Sequence, residues 1–310
     1  MKNSSRWNIT IIGAGKVGST LGRILVENGE KIVCVVSRSQ RSARSAGRFL
    51  KCKTTTTSLS AIPSNTNLVF IATPHATIES VGAGLAELEH LNFNRLSVCH
   101  ASGMLTAAVL SLLAAKGATT FSFHPLQTFP RDFAPKDIVP TARNIYYGVD
   151  GDAKGLRVAK QFAKKLEGKV VEIPPEMRAL YHATCVVASN HLTALLFIIE
   201  QMSAKLGLDR RKFISVFVPI IKATLNNVEK ASPAKALSGP VARGGVETVG
   251  EHLASIKRSV PELLPYFTTL TAETIKLAQL KGSISNKNVE AMVKLIRSFT
   301  SNSSLPQEIH

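Results

Sequence analysis

Residues Asn8 to Gly18 read NITIIGAGKVG. Asn8 to Ile12 is a β-branched run suited to a strand, residues 13–18 are Gly-Ala-Gly-Lys-Val-Gly, and Ser19 to Asn28 continues as a helix. Strand, G-x-G-x-x-G turn and helix in that order form a dinucleotide-binding fingerprint. Gly13 makes the tight turn, Gly15 lets backbone approach a pyrophosphate, and Gly18 lets the helix pack on the strand. The phosphates would rest on the free N–H groups where the helix opens, at Lys16 and Val17. Three glycines at this spacing can also be a turn with no ligand. The second β-rich run, Lys31 to Ser37, stands where a βαβ unit needs it and favours the nucleotide reading.

The end of that second strand selects the cofactor. An NAD site would carry Asp or Glu about 20 residues past the glycines, to accept from the ribose 2′-hydroxyl. Here the chain reads Ser37-Arg38-Ser39, with Arg41 and Arg44 following. A guanidinium and two hydroxyls pair with a 2′-phosphate that a carboxylate would repel, so the expected cofactor is NADP(H). The competing reading makes Arg41, Arg44, Arg48 and Lys51 a solvated helix face.

Later strand-like runs end in polar turns. Leu68 to Ala72 ends in Thr73-Pro74-His75, Arg95 to Cys99 in His100-Ala101-Ser102-Gly103, and Thr119 to Phe123 in His124-Pro125-Leu126-Gln127-Thr128-Phe129. β-Rich runs alternating with helical ones predict an α/β fold, an N-terminal Rossmann doubly wound parallel sheet. In such a sheet ligands lie beyond the carboxyl ends of the strands. Thr73, Pro74 and Ser102 are therefore expected beside the nicotinamide end of a cofactor. Strands Asn144–Val149 and Lys169–Ile173 complete this domain, residues 1–174. After Pro174-Pro175 the pattern is helical: a spine over Glu176–Leu206, then Asp209–Lys230, Val246–Ser255, Glu262–Leu280 and Lys287–Phe299. Residues 175–310 are expected to form an all-helical C-terminal domain for substrate binding and dimerisation.

Composition narrows the partners. The chain has 310 residues, is 45% hydrophobic and carries a net charge of +17. Its basic residues are dispersed, and the 6% aromatic content does not interleave with them, so a nucleic-acid surface is not expected. The charge suits anionic small molecules. Cys34, Cys52, Cys99 and Cys185 have no metal or redox spacing and read as reduced thiols of a cytoplasmic protein. Lys2 and Arg6 precede the first strand without a signal-peptide apolar core. The charge-free stretch Ala183 to Ile199 is shorter than the ~20 residues of a membrane span and reads as a buried helix. No HExxH, paired-Cys, GxSxG or P-loop motif is present.

The runs HASG (100–103), SFHPLQTF (122–129), YHATCVVASN (181–190) and SGPVARGGVETVGEHL (238–253) resemble a bacterial family in which a Rossmann-like domain joins a domain of unknown function. More broadly, the layout resembles the ketopantoate reductase, pyrroline-carboxylate reductase and hydroxyisobutyrate dehydrogenase superfamily. The resemblance implies an NADP-dependent, ketopantoate-reductase-like oxidoreductase working as a homodimer. Two positions depart from the pattern: His75 stands where such enzymes often carry Asp, and Gly245 where this family usually reads Arg-Gly-Asp.

Carbonyl reduction needs a proton donor within about 2.6–3.2 Å of the developing alkoxide, further donors for the oxyanion, and an anchor for an acidic substrate. Asn190-His191-Leu192-Thr193-Ala194 resembles the Asn-containing run of ketopantoate reductases, whose catalytic Lys lies eight residues earlier. That position is His182, on the same helix face, and imidazole can donate a proton near pH 7. His182 is thus the candidate acid and Asn190 the carbonyl donor. The alternative is a core pair satisfying each other between helices. His124 is the second catalytic candidate, and Ser102, Gly103, Gln127 and Arg243 join it as substrate binders, Arg243 as carboxylate anchor. The expected reaction is reduction of a small anionic 2-oxo acid. A cyclic imine reductase and a non-catalytic NADP sensor are the alternatives.

Overall fold

The computed structural model describes residues 7–209 and 212–300. Lys2 and Arg6, the start of the helix expected from Asp209, and the polar tail after Thr300 lie wholly or partly outside these. The chain forms two compact units, residues 1–190 and 191–310. The division falls inside the long helical stretch rather than at Pro174-Pro175, because Arg178, in the first turns of that stretch, is tied to Asp150 of the sheet.

The first unit runs β1 (Asn8–Ile12), α1 (Lys16–Glu27), β2 (Lys31–Val36), α2 (Gln40–Phe49), β3 (Thr55–Thr56), β4 (Leu68–Ile71), α3 (Ile78–Ala86) and β5 (Ser97–His100). It continues through α4 (Ser111–Ala115), β6 (Thr119–Pro125), α5 (Pro135–Ile138), β7 (Tyr146–Gly151), α6 (Ala153–Lys165), β8 (Lys169–Glu172) and α7 (Arg178–Val186). The strands order β3-β2-β1-β4-β5-β6-β7-β8 in one sheet. Chain direction away from β1 reverses between β1 and β4, the switch point at which doubly wound sheets open a ligand crevice.

Alternate residues of β4 enter opposite layers. Leu68 and Phe70 pack with Ile9, Ile11, Phe121, Phe123 and Phe162, whereas Val69 and Ile71 pack with Ile12, Cys34, Val98 and Leu110. Both faces are covered, as the continuous apolar runs require. Phe123 stacks on Tyr147 with ring centroids 4.3 Å apart. The sheet departs from the expected all-parallel form at one place, where β6 and β7 pair antiparallel. Antiparallel neighbours are joined at one end of a sheet, so the whole loop 126–145 stays at the carboxyl end of β6.

The second unit holds α8 (Leu192–Lys205), α9 (Phe213–Lys230), α10 (Pro233–Ala236), α11 (Val246–Ser259), α12 (Leu264–Lys281) and α13 (Asn286–Thr300). Val249, Leu253, Ile256, Ile275, Ala278 and Met292 form its core. A π-helical turn, Val187–His191, links α7 to α8. The stretch Ala183–Ile199, expected to be buried, is largely open in the single chain: Val187 is 56% and Phe197 49% exposed. Apolar periodicity reports which residues seek cover, not whether this chain supplies it.

Candidate functional site

Three cavities run along the carboxyl ends of the strands in the first unit. The largest, about 830 Å³, is lined by the glycine turn, α2 and the β6–β7 loop. A second, about 510 Å³, shares Val17 and Ala72 with it and adds Thr73, His75, Ser102, Gly103, His124 and His182. The third, about 560 Å³, shares His124 and His182 with the second and adds Gln127, Thr128, Cys185, Ser189 and Asn190. Among the described residues no Asp or Glu lines any of them.

The glycine turn has the geometry its sequence predicts. Gly13 has φ +108°, and a Cβ there would stand 2.5 Å from the Ala72 carbonyl oxygen. At Gly15 a Cβ would meet nothing within 4 Å, so the turn is open to a ligand. Gly15 is the N-cap of α1 and supplies no side-chain acceptor, which leaves the first N–H groups of the helix to an external anion. Lys16 and Val17 line the crevice. Thr73 lines the second cavity, and its buried hydroxyl has no hydrogen-bond partner. An open glycine cradle, unsatisfied N–H groups, an orphan hydroxyl and surrounding cations fit a dinucleotide.

Beyond β2, the cation lining the crevice is Arg41, with Ser42 and Ser45 beside it. Ser37, Arg38 and Ser39 do not line it, and Ser39 caps α2 by accepting from the Ser42 N–H (3.2 Å). Pro74 is exposed and opens a short 3-10 turn. Ser102 Oγ accepts from the N–H groups of Met104 and Leu105, which leaves its proton for His75 Nδ1 at 3.1 Å. His100 is fully buried and fixes the loop: Nδ1 accepts from Ser102 N–H and Nε2 donates to the Thr106 carbonyl. Burial pushes its pKa down to about 4.

His124 and His182 meet across Gly103, where a Cβ would stand 2.7 Å from His182 Cδ2 and 3.0 Å from His124 Nε2. The imidazole centroids are 6.2 Å apart. Burial, then the neighbouring His182 and Arg178, lower the His124 pKa to about 4, so the ring is neutral at pH 7. His124 Nδ1 lies 2.7 Å from the Tyr181 hydroxyl. Burial raises the Tyr181 pKa, and the neighbouring Cys185 adds to the rise, so the phenol keeps its proton. That proton can be donated to His124 Nδ1. In that arrangement the imidazole proton is on Nε2, the nitrogen beside Gly103.

The guanidinium of Arg178 lies over the Tyr181 ring, 5.5 Å from its centroid. Arg178 is 2% exposed, and its Nε donates to Asp150 Oδ2 at 2.6 Å. Its terminal nitrogens make no hydrogen bond, Nη2 meeting Oδ2 only as an ion-pair contact. Asp150 also accepts from Ser122 Oγ (2.7 Å) and the Ala107 N–H (2.6 Å). This network holds α7 to β7, and nothing in the sequence signals it beyond the adjacency of Tyr181 and His182.

Asn190 lines the third cavity with His124 and His182 although it sits in the π turn that follows α7. Its Oδ1 accepts from Ser189 Oγ at 2.9 Å, leaving its amide N–H groups as donors. Gln127 has both ends of its amide engaged by the loop, donating to the Thr141 carbonyl and accepting from Thr128 N–H. Arg243 belongs to the second unit, exposed on the turn Val241–Arg243. Gly245 is the N-cap of α11, where an Asp would act as a helix cap.

Residues 2–125 match the model of a Rossmann-like domain, and residues 145–274 that of a domain of unknown function, DUF2520. A comparison with curated proteins finds no match. Among solved structures, a Bacteroides fragilis protein assigned as an NADP oxidoreductase is similar at 21% identity and a TM-score of 0.68, over 87% of this chain and 98% of that one. A Coxiella burnetii pyrroline-5-carboxylate reductase is similar at 15% and 0.60, over 94% and 99%. An Aspergillus terreus reductive aminase, solved with NADPH and ethyl levulinate, is similar at 13% and 0.58, over 95% and 93%. At these identities the likeness establishes the fold.

Proposed function

Because the chain belongs to the proteins that join a Rossmann-like domain to DUF2520, we propose that it is an NADP(H)-dependent oxidoreductase reducing a small anionic 2-oxo acid. The observation that carries this reading is the run of three connected cavities from the glycine turn to the His124–His182 pair, with cations and neutral donors but no carboxylate among the described lining residues. Gly15, Lys16 and Val17 would hold the pyrophosphate, Arg41 the 2′-phosphate, and Thr73 the nicotinamide end. The reduced nicotinamide supplies the hydride.

The residues of this chain do the rest. A neutral His124 with its proton on Nε2 donates a hydrogen bond to the substrate oxygen and stabilises negative charge as it develops there. His182, on the other side of Gly103, supplies the proton, and the Asn190 amide orients the carbonyl. Gly103 keeps the two imidazoles close enough to share one oxygen. The absence of a carboxylate in the described lining favours an anionic substrate and a developing alkoxide over a cationic iminium, which a carboxylate would stabilise. The likeness to pyrroline-5-carboxylate and imine-directed folds keeps cyclic imine reduction as the second reading. His182→Ala separates the two, since imine reduction needs no proton on oxygen.

The proposal extends to a cytoplasmic homodimer. Cys34, Cys52, Cys99 and Cys185 are all free thiols, as a reducing compartment allows. Residues Pro175–Lys205 are long and apolar enough to cross a membrane by length and composition. Yet Arg178 within them is paired to Asp150 of the sheet, and exposed Val187, Leu192 and Phe197 suit a second subunit better. Light scattering on the purified chain tests the dimer. The function is tested by fluorescence titration with NADPH and NADH, followed by nicotinamide absorbance against a panel of 2-oxo acids and pyrroline carboxylates. NADPH preference with 2-oxo acid turnover is expected. Binding without turnover of either class would favour a sensor, and no binding would remove the proposal.

A further inference from the structure

The largest cavity has two walls, and only one belongs to the dinucleotide fingerprint. Ala14 to Val17 and the α2 face around Arg41 form that wall. The other is the loop between β6 and β7, which contributes Phe129, Arg131, Ala134, Pro135 and Lys136. Four cations, Lys16, Arg41, Arg131 and Lys136, thus share one crevice of about 830 Å³. The loop's own carboxylates, Asp132 and Asp137, are not among its lining residues.

This loop is built to hold position. Gln127 bonds the Thr141 carbonyl and the Thr128 N–H across its base. Phe129 packs against the main core, and Asp137 N–H closes a turn onto the Ala134 carbonyl at 2.9 Å. Pro135 opens α5, and α5 packs against α1, the helix whose open N-terminus faces the same crevice. Arg131 and Lys136 are therefore carried on a segment fixed to the phosphate-facing helix.

A pyrophosphate carries two negative charges and already has the α1 N–H groups and Lys16. Three further cations exceed its need, whereas a third phosphate, dianionic and set off on the ribose, uses them. We propose that the β6–β7 loop supplies the second half of a two-sided grip on the adenosine 2′-phosphate, Arg131 and Lys136 closing on it opposite Arg41. The proposal rests on the NADP(H) reading above. It adds that cofactor choice is made by a segment nearly a hundred residues beyond the fingerprint strand pair, where no sequence rule looks for it. It also predicts that NADPH affinity falls more steeply with salt than NADH affinity, because the extra contacts are exposed charge pairs.

The test is titration of the full chain and its Arg131→Ala and Lys136→Ala variants with NADPH and with NADH, each at low and high salt. Both side chains are exposed, so both variants should fold, which thermal melts verify. Each substitution is expected to weaken NADPH binding about fivefold or more, the scale of one exposed charge-assisted phosphate contact, and NADH binding less than twofold. Unchanged NADPH affinity in both variants would overturn the proposal. Equal losses for both cofactors would overturn it too, by moving the contact to the pyrophosphate. Wild-type protein that binds neither cofactor would instead overturn the parent reading.

Discussion

Replacing Tyr181 by Phe removes one oxygen and tests the assignment of His124 as a neutral donor. The lost hydroxyl sits 2.7 Å from His124 Nδ1. A neutral buried hydrogen bond is worth about 1 kcal/mol net, so the bias toward the Nε2–H tautomer falls by roughly fivefold. Deleting an oxyanion donor outright costs about 10²–10³ in rate. Tyr181→Phe leaves the imidazole in place, so kcat should fall by up to about fivefold with little change in NADPH affinity. Stability should fall by about 1–3 kcal/mol for the buried His124 nitrogen left unpaired. The assay is steady-state kinetics on the best substrate of the panel, with imidazole nitrogen NMR at pH 7 to report the tautomer directly. A wild-type spectrum with the His124 proton on Nδ1 would refute the reasoning, as would a folded Tyr181→Phe variant with kcat within twofold of wild type.

Acid should destabilise the protein through His100 and His124. Both have folded pKa values of about 4 against an ordinary 6.5, so the stability of their neutral forms is complete above pH 6.5 and is lost as pH falls toward 4, by up to about 3 kcal/mol each. Urea melts at pH 7.5 and 4.5 measure this, and a flat profile would contradict it. Gly15→Val should fold normally, since its side chain enters open space, yet lose dinucleotide binding. Gly13→Ala should lose more than about 2 kcal/mol of stability in chemical denaturation, from its positive φ and its closeness to Ala72. Asp150→Asn should cost about 3–5 kcal/mol by stranding the Arg178 charge, and Asp150→Asn combined with Arg178→Met should recover part of that loss. Non-recovery in the double variant would show that the ion pair is not the dominant contact.

The opening of the fold is local chemistry, and local chemistry is written in order along the chain. The β-branched run before Gly13, the three glycines and the second strand from Lys31 determine the first βαβ unit, because turn geometry and strand propensity involve neighbours only. The polar ends of later strands likewise announce Thr73, Ser102 and His124, since a parallel sheet delivers every strand end to one edge. What the tertiary structure alone decided is which polar atoms remain available there. Ser102 gives its proton to His75, Gln127 turns its amide into the loop, Ser39 caps α2, and His100 is sealed inside, although in sequence all four look like ligand residues. Arg178 and Asp150 are twenty-eight residues apart, and Tyr181 and His124 fifty-seven. Their pairing follows from the antiparallel return of β7 and the docking of α7, and burial then sets the His124 protonation state. Hydrogen-bond partners and burial are long-range properties: a sequence lists the groups that must be satisfied, and only the packed chain chooses who satisfies them.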